Sequence, residues 1–240
     1  MSANGDIFKY MNERRKFILD TIIKEHINTG APVGSGVLVN KYKLDISPAT
    51  VRNEMASLED EGYIRQPHTS AGRIPTEKAY NLYIEDLAIK KLKQKEEELL
   101  KKSLTTRDEP GFKHVAKVMA QISGVAIFWS DQEQDLRYTG ISNLFHQPEF
   151  SQVDLICDIS EVIDEMEEAV SRAVATLDNG EKIMIGSDNP FSKDCGTILV
   201  KYKKGNEVGM FGILGPMRMD YEKNLELIRY VIKCITENNL

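Results

Sequence analysis

Apolar residues recur at helical spacing through the first sixty positions, and turn-forming residues interrupt them. Ile18, Leu19, Ile22, Ile23 and Ile27 form one stripe behind Asn12, which is suited to capping the helix they predict. Gly30 stops that helix, and Ala31-Pro32-Val33-Gly34 reads as a loop. Ser35 is expected to cap a short second helix that runs to about Tyr42, with Leu38 inward. Ser47 followed by Pro48 marks the start of a third, because the missing proline N–H is one that a first turn leaves unpaired anyway. This helix should run to about Glu61, and Gly62 ends it. Two β-prone stretches, Tyr63–Gln66 and Arg73-Ile74, flank the turn Pro67–Gly72, where Gly72 is expected to supply the positive φ. Thr76 then caps a helix with Tyr80, Tyr83, Ile84 and Leu87 on one side. That helix is expected to continue into the charged run Lys90–Glu98 as a solvated connector.

From about Thr106 the periods are mixed. A helix over Lys113–Ile122 precedes a strand at Val125–Phe128, and Leu136–Ile141 is a second β candidate. Ser160 opens an acidic helix with Ile163, Met166, Val170, Val174 and Leu177 inward, and Ile183–Ile185 reads as a strand. Ile198–Tyr202 and Val208–Leu214 suggest a hairpin across Gly205-Asn206. A last helix buries Leu225, Ile228, Ile232 and Ile235. The predicted class is α+β with an antiparallel sheet, divided into a first domain over residues 1–87, a connector over 88–105 and a second domain over 106–240.

Composition narrows the function. Hydrophobic residues make up 41% of the 240 and charged residues 28%, so the chain can bury a real core. No apolar run approaches the roughly 18 residues of a membrane span. The first ten residues lack the basic flank and apolar core of a secretory signal, so a cytoplasmic protein with no membrane association is expected. Cys157, Cys195 and Cys234 are widely spaced, and His26, His68, His114 and His146 are scattered, which argues against a disulfide framework and a zinc site. No nucleophile–base constellation stands out, so neither an enzyme nor a cofactor is expected. Net charge is −6, unevenly spread: residues 1–103 hold 17 Lys and Arg against 15 Asp and Glu, and residues 104–240 hold 14 against 22. An anionic partner is therefore expected to meet the first part.

Three helices followed by a β-hairpin is the element order of a winged helix-turn-helix. In the third helix Val51, Met55 and Leu58 face the core, while Thr50, Asn53 and Ser57 share the opposite face. That polar face is narrow enough to enter a major groove about 12 Å wide. Its N-terminal end carries Ser47, Ala49, Thr50 and Asn53, with Arg52 beside them. Asn suits adenine edges, Ala and the Thr methyl suit the thymine methyl, and Arg suits phosphate or guanine. The hairpin tip offers Arg65, His68, Thr69, Ser70 and Arg73 to phosphates or a minor groove, and Ser35 at the start of the second helix completes the candidate DNA contacts. Blander readings stand beside these. The unit could bind protein instead, Arg52 could pair with Glu59 or Asp60, and His68 could be an ordinary turn residue.

Longer motifs are more specific. Gly30–Ser35, Ser47–Ala56 and Gln66–Thr76 closely resemble the HrcA family of heat-inducible transcription repressors. In the second half Gly140–Leu144, Gln147–Phe150, Asn189–Phe191 and Gly212–Tyr221 are similar to the same family. The resemblance implies a winged helix followed by a GAF-like domain. It also implies a homodimer on an inverted-repeat operator ahead of chaperone genes, with the chaperonin as positive modulator and release by heat. Two departures accompany it. Gly36 stands where the family usually has a basic residue, and the domain-sized dimerising insertion is missing, since Trp129 reaches Tyr138 through Ser130–Arg137 alone. A reading from another class makes the second domain a small-molecule sensor controlling the same DNA-binding unit.

Overall fold

The computed structural model describes residues 11–105, 112–130, 136–150, 164–175, 177, 180–205 and 207–237. Ser160, Ile163, Cys157 and Asn206 lie outside the described residues. The chain divides into two compact units, 1–87 and 88–240.

The first unit begins with α1 (Glu13–Thr29), where the Asn12 side chain accepts from the Arg14 and Arg15 amides at 2.8 and 3.4 Å. Gly30 closes the helix in the left-handed region at φ 66. Ile18, Leu19, Ile22 and Ile23 are buried, as their spacing demands. The next helix, α2 (Ser35–Tyr42), is capped by Gly34 and not by Ser35, which is its first residue. In α3 (Pro48–Asp60) the Ser47 hydroxyl caps the Thr50 amide at 3.1 Å, and Val51, Met55 and Leu58 are buried. Strands β1 (Ile64–Arg65) and β2 (Ile74–Pro75) pair antiparallel, and α4 (Glu77–Glu85) follows. Thr76 stands at its cap position but donates its hydroxyl to the Gly62 and Tyr63 carbonyls.

The expected continuous connector is not formed. Helix α4 stops at Glu85, and a separate helix, α5 (Gln94–Thr105), belongs to the second unit. Leu92 and Leu100 are buried there, Lys90 pairs with Glu222 at 2.7 Å, and Lys223 pairs with Glu96 at 3.0 Å. Burial of the sparse leucines, reinforced by ion pairs, makes this charged run one face of a packed unit rather than a solvated rod.

The second unit is built on a five-stranded antiparallel sheet of β3 (Ala126–Ser130), β4 (Arg137–Thr139), β5 (Gly180–Ile185), β6 (Cys195–Lys204) and β7 (Glu207–Pro216). The strand order is β4-β3-β7-β6-β5. The expected strand over Leu136–Ile141 is shorter, because Gly140 turns at φ 77 and α7 (Ile141–Phe145) starts directly after it. On one sheet face Phe128, Leu199, Met210 and Leu214 pack with Leu144, Phe150, and Met166 and Val170 of α8 (Met166–Ala175). Phe128 lies opposite Gly212, and its ring occupies the space that a Cβ at 212 would need. Ile127, Ile198 and Ile213 alternate to the other face, and α6 (Lys113–Ser123) and α9 (Tyr221–Glu237) also pack against the sheet. In α9, Leu225, Ile228 and Ile235 are buried and Ile232 is half-buried. Among the described residues no helix is long and apolar enough to cross a membrane.

Candidate nucleic-acid interface

Helix α3 presents two chemically different sides. Its outer side exposes Ala49, Arg52, Asn53 and Ala56, with Thr50 and Ser57 half-buried at the margin. Arg52 and the Asn53 amide have no partner among the described residues, so both can meet a ligand without breaking anything. The pairing of Arg52 with Glu59 or Asp60 is not realised. Other hydroxyls are partly committed: Ser47 and Thr50 share a hydrogen bond at 3.0 Å, and Ser57 donates to the Asn53 carbonyl at 3.4 Å.

Carboxylates at the margins of α3 and just after it are neutralised by cations from elsewhere in the unit, while Asp60 stays exposed on the outer side. Arg15 of α1 reaches Glu54 at 3.2 Å and Glu61 at 2.5 Å. Arg73, from the hairpin, donates Nε to Glu59 at 2.8 Å. Arg73 is half-buried and also reaches the Ala71 carbonyl at 3.5 Å, so the expected phosphate contact is engaged inside the protein. Arg65, His68, Thr69 and Ser70 remain exposed on the hairpin, and the Arg65 side chain has no partner among the described residues.

Two further expectations change. Ser70, not Gly72, takes the left-handed conformation at φ 69. Gly72 is needed for close approach, because the Val33 backbone and Arg73 exchange two hydrogen bonds, at 2.8 and 2.9 Å, beside it. Ser35 is 9% exposed, so little of the residue reaches the surface.

Charge, too, is distributed differently from the expectation. Lys90, Lys91, Lys93, Lys95, Lys101 and Lys102 belong to the second unit. Residues 1–87 then hold 11 Lys and Arg against 12 Asp and Glu, so the first unit is not basic in sum. What it has is sorted charge. Asp20, Glu25 and Asp86 are paired with Lys24, Lys41 and Lys16, and Lys78 lies over the Tyr63 ring at 4.2 Å. Among the described residues of the first unit, the cations left without partners are Arg14, Lys43, Arg52 and Arg65. Lys43 was missed from sequence. It ends α2 in the left-handed region at φ 50, in the turn that leads to α3, and its position just ahead of Ser47-Pro48 was the available signal. Asp45 is exposed in the same turn and offsets part of its charge.

Behind this surface lies a buried pin. Glu25, 5% exposed, accepts from Lys41 at 2.6 Å and from the Tyr42 hydroxyl at 2.9 Å, which ties the end of α2 to α1. The Lys41 hydrogen bond holds the Glu25 carboxyl below its ordinary range, against the opposing cost of burial. Burial, with Glu25 alongside, pushes the Tyr42 hydroxyl up to about 12.

The family model for the HrcA protein C terminal domain matches residues 50–225. A heat-inducible transcription repressor HrcA from Carboxydothermus hydrogenoformans is 28% identical over 334 aligned positions, covering 95% of this chain and 98% of the relative. One from Natranaerobius thermophilus is 26% identical, covering 94% and 96%. The first alignment runs well beyond the 240 residues of this chain, so that relative carries a long stretch without counterpart here. At the place where the resemblance puts the insertion, β3 and β4 are paired neighbours joined by residues 131–136 alone. A crystal structure of a hypothetical protein shares the fold, with TM-score 0.71 and 19% identity over 95% of this chain and 98% of that one. Family model and relatives agree over most of the length: the chain belongs to the HrcA family.

Proposed function

We propose that this chain is a sequence-specific transcriptional repressor of heat-shock genes, with residues 1–87 as a winged helix-turn-helix and the second unit as a GAF-like regulatory domain. The observation that carries the reading is the outer side of α3, where Arg52 and Asn53 stand unpartnered while Glu54, Glu59 and Glu61 at its margins are neutralised, which leaves Asp60 as the exposed carboxylate on that side. Placed in a major groove, Asn53 reads a base edge, Arg52 takes phosphate or guanine, and Ala49 and Thr50 offer methyl contacts. Lys43 and Arg65 flank the helix as backbone contacts, with His68, Thr69 and Ser70 at the hairpin tip. An inverted-repeat operator requires a two-fold protein, so the active form is a homodimer, held by a surface other than the missing insertion. Chaperonin acts on the fraction of competent dimer, and heat lowers it. The work is done in the cytoplasm, without a cofactor and without catalysis.

The small-molecule reading gains nothing from the second unit. On the described sheet face Phe128, Phe150, Phe191, Met166 and Leu199 form a packed apolar layer, and the buried polar pair there, Asn189 and Thr197, is bonded to itself at 3.1 Å. The test is a mobility shift of purified protein on an inverted-repeat fragment taken upstream of a chaperone operon, with no added small molecule. Specific binding lost on mild heating supports the reading, and titration with labelled operator before and after chaperonin treatment measures the competent fraction. Absence of any preference for the inverted repeat over scrambled DNA refutes it.

A further inference from the structure

We infer that Glu59 and Arg73 form a latch that sets the hairpin at a fixed angle to α3, which makes them positioning residues for DNA reading rather than DNA contacts. This rests on the DNA-binding reading above. Three ties converge on the hairpin. Glu59 spends its two oxygens on two donors, accepting from Arg73 Nε at 2.8 Å and from the Gln66 amide at 3.0 Å, so one carboxylate holds both arms. The Gln66 side chain and Arg73 Nη1 both donate to the Ala71 carbonyl, at 3.0 and 3.5 Å, and this closes the tip. On the other flank Arg73 exchanges backbone hydrogen bonds with Val33 in the loop before α2.

The strands themselves are too short to supply this rigidity. β1 and β2 are two residues each, and a two-stranded ribbon of that length has little stability of its own. Pre-organisation therefore comes from these ties, the side-chain ones to α3 and the backbone pair with Val33. A hairpin already fixed against α3 loses less freedom on docking, and groove and backbone contacts then form together. Only a group with two acceptors can hold both arms. A glutamine at 59 offers one acceptor and turns an N–H toward the second donor, so it can satisfy Arg73 or Gln66 but not both.

The latch and a phosphate contact predict opposite signs for one substitution. With a latch, Glu59→Gln lowers operator affinity about ten-fold, the equivalent of one charge-assisted hydrogen bond. Arg73→Gln does the same, and the double variant is no worse than either alone. The slope of log affinity against log salt stays unchanged in all three. If Arg73 instead gripped a phosphate, Glu59→Gln would free it and strengthen binding, and Arg73→Gln would flatten the slope by about 0.9 for each phosphate no longer neutralised. Amide exchange supplies a readout without DNA: Gln66 N–H is protected in the parent and loses protection in Glu59→Gln, while α1 amides are unaffected. Tighter binding by Glu59→Gln, additive losses, or an unprotected Gln66 in the parent overturns the latch and leaves the DNA reading in place. A parent chain with no specific binding overturns the DNA reading itself, and the positioning role falls with it.

Discussion

A Cβ added to Gly72 would stand 2.5 Å from the carbonyl carbon of Val33, closer than real side chains ever come to backbone. The atom it would meet is main chain held by two hydrogen bonds and cannot swing away. Gly72→Ala is therefore expected to part the Val33–Arg73 pair and cost about 1–3 kcal/mol, as overpacking usually does. Urea unfolding followed by tyrosine fluorescence measures this, and an unchanged midpoint would show that the loop accommodates the methyl.

Asn53 tests base reading. Asn53→Ala is expected to cost about 1–3 kcal/mol on the operator and to relax preference at one position. Competition binding against scrambled DNA is the measurement. A specific-to-non-specific ratio equal to that of the parent would remove α3 as the reader.

Lys43, Arg52 and Asp45 test the role of sorted charge. Lys43→Gln and Arg52→Gln should each flatten the salt dependence of binding, by about 0.9 per phosphate left without its cation. Asp45→Asn should strengthen specific and non-specific binding together, because it lifts a repulsion from the turn that carries Lys43. Salt titrations of the three variants separate these effects, and weaker binding by Asp45→Asn would contradict the placement of that turn near the phosphates.

The Glu25 pin sets a pH dependence at both ends of the range. A carboxyl held below its ordinary 4.5 contributes stability that is complete above that value and is lost as pH falls through the lowered one. Glu25→Gln should accordingly destabilise the first unit at neutral pH and lose part of the parent's acid limb. Tyr42 has the opposite sense. Its hydroxyl, raised from 10 to about 12, stays protonated in the folded chain after the unfolded chain has lost its proton, so stability declines from about pH 10 upward. The gap between parent and Tyr42→Phe should narrow over that interval. Unfolding midpoints across pH settle both, and parallel curves would show that the pin is not coupled to titration.

Much of α3 was legible in the sequence because it obeys local rules. Ser47 and Pro48 start α3 by satisfying or removing first-turn donors, and the 3.6-residue period alone separates Val51, Met55 and Leu58 from Asn53. The hairpin of β6 and β7 and the motif resemblance were likewise carried by short stretches of chain. Contacts across long separations were not legible. Arg73 reads as a free cation until the hairpin folds back and puts it beside Glu59, and Gly72 reads as a turn glycine until Val33 arrives against it. The lysines between residues 90 and 102 lend the N-terminal half a basic balance on paper, yet burial of Leu92 and Leu100 assigns them to the other unit. Period and capping depend on neighbours along the chain, whereas an ion pair or a close approach depends on which surfaces tertiary packing brings together, and only the folded structure decides that.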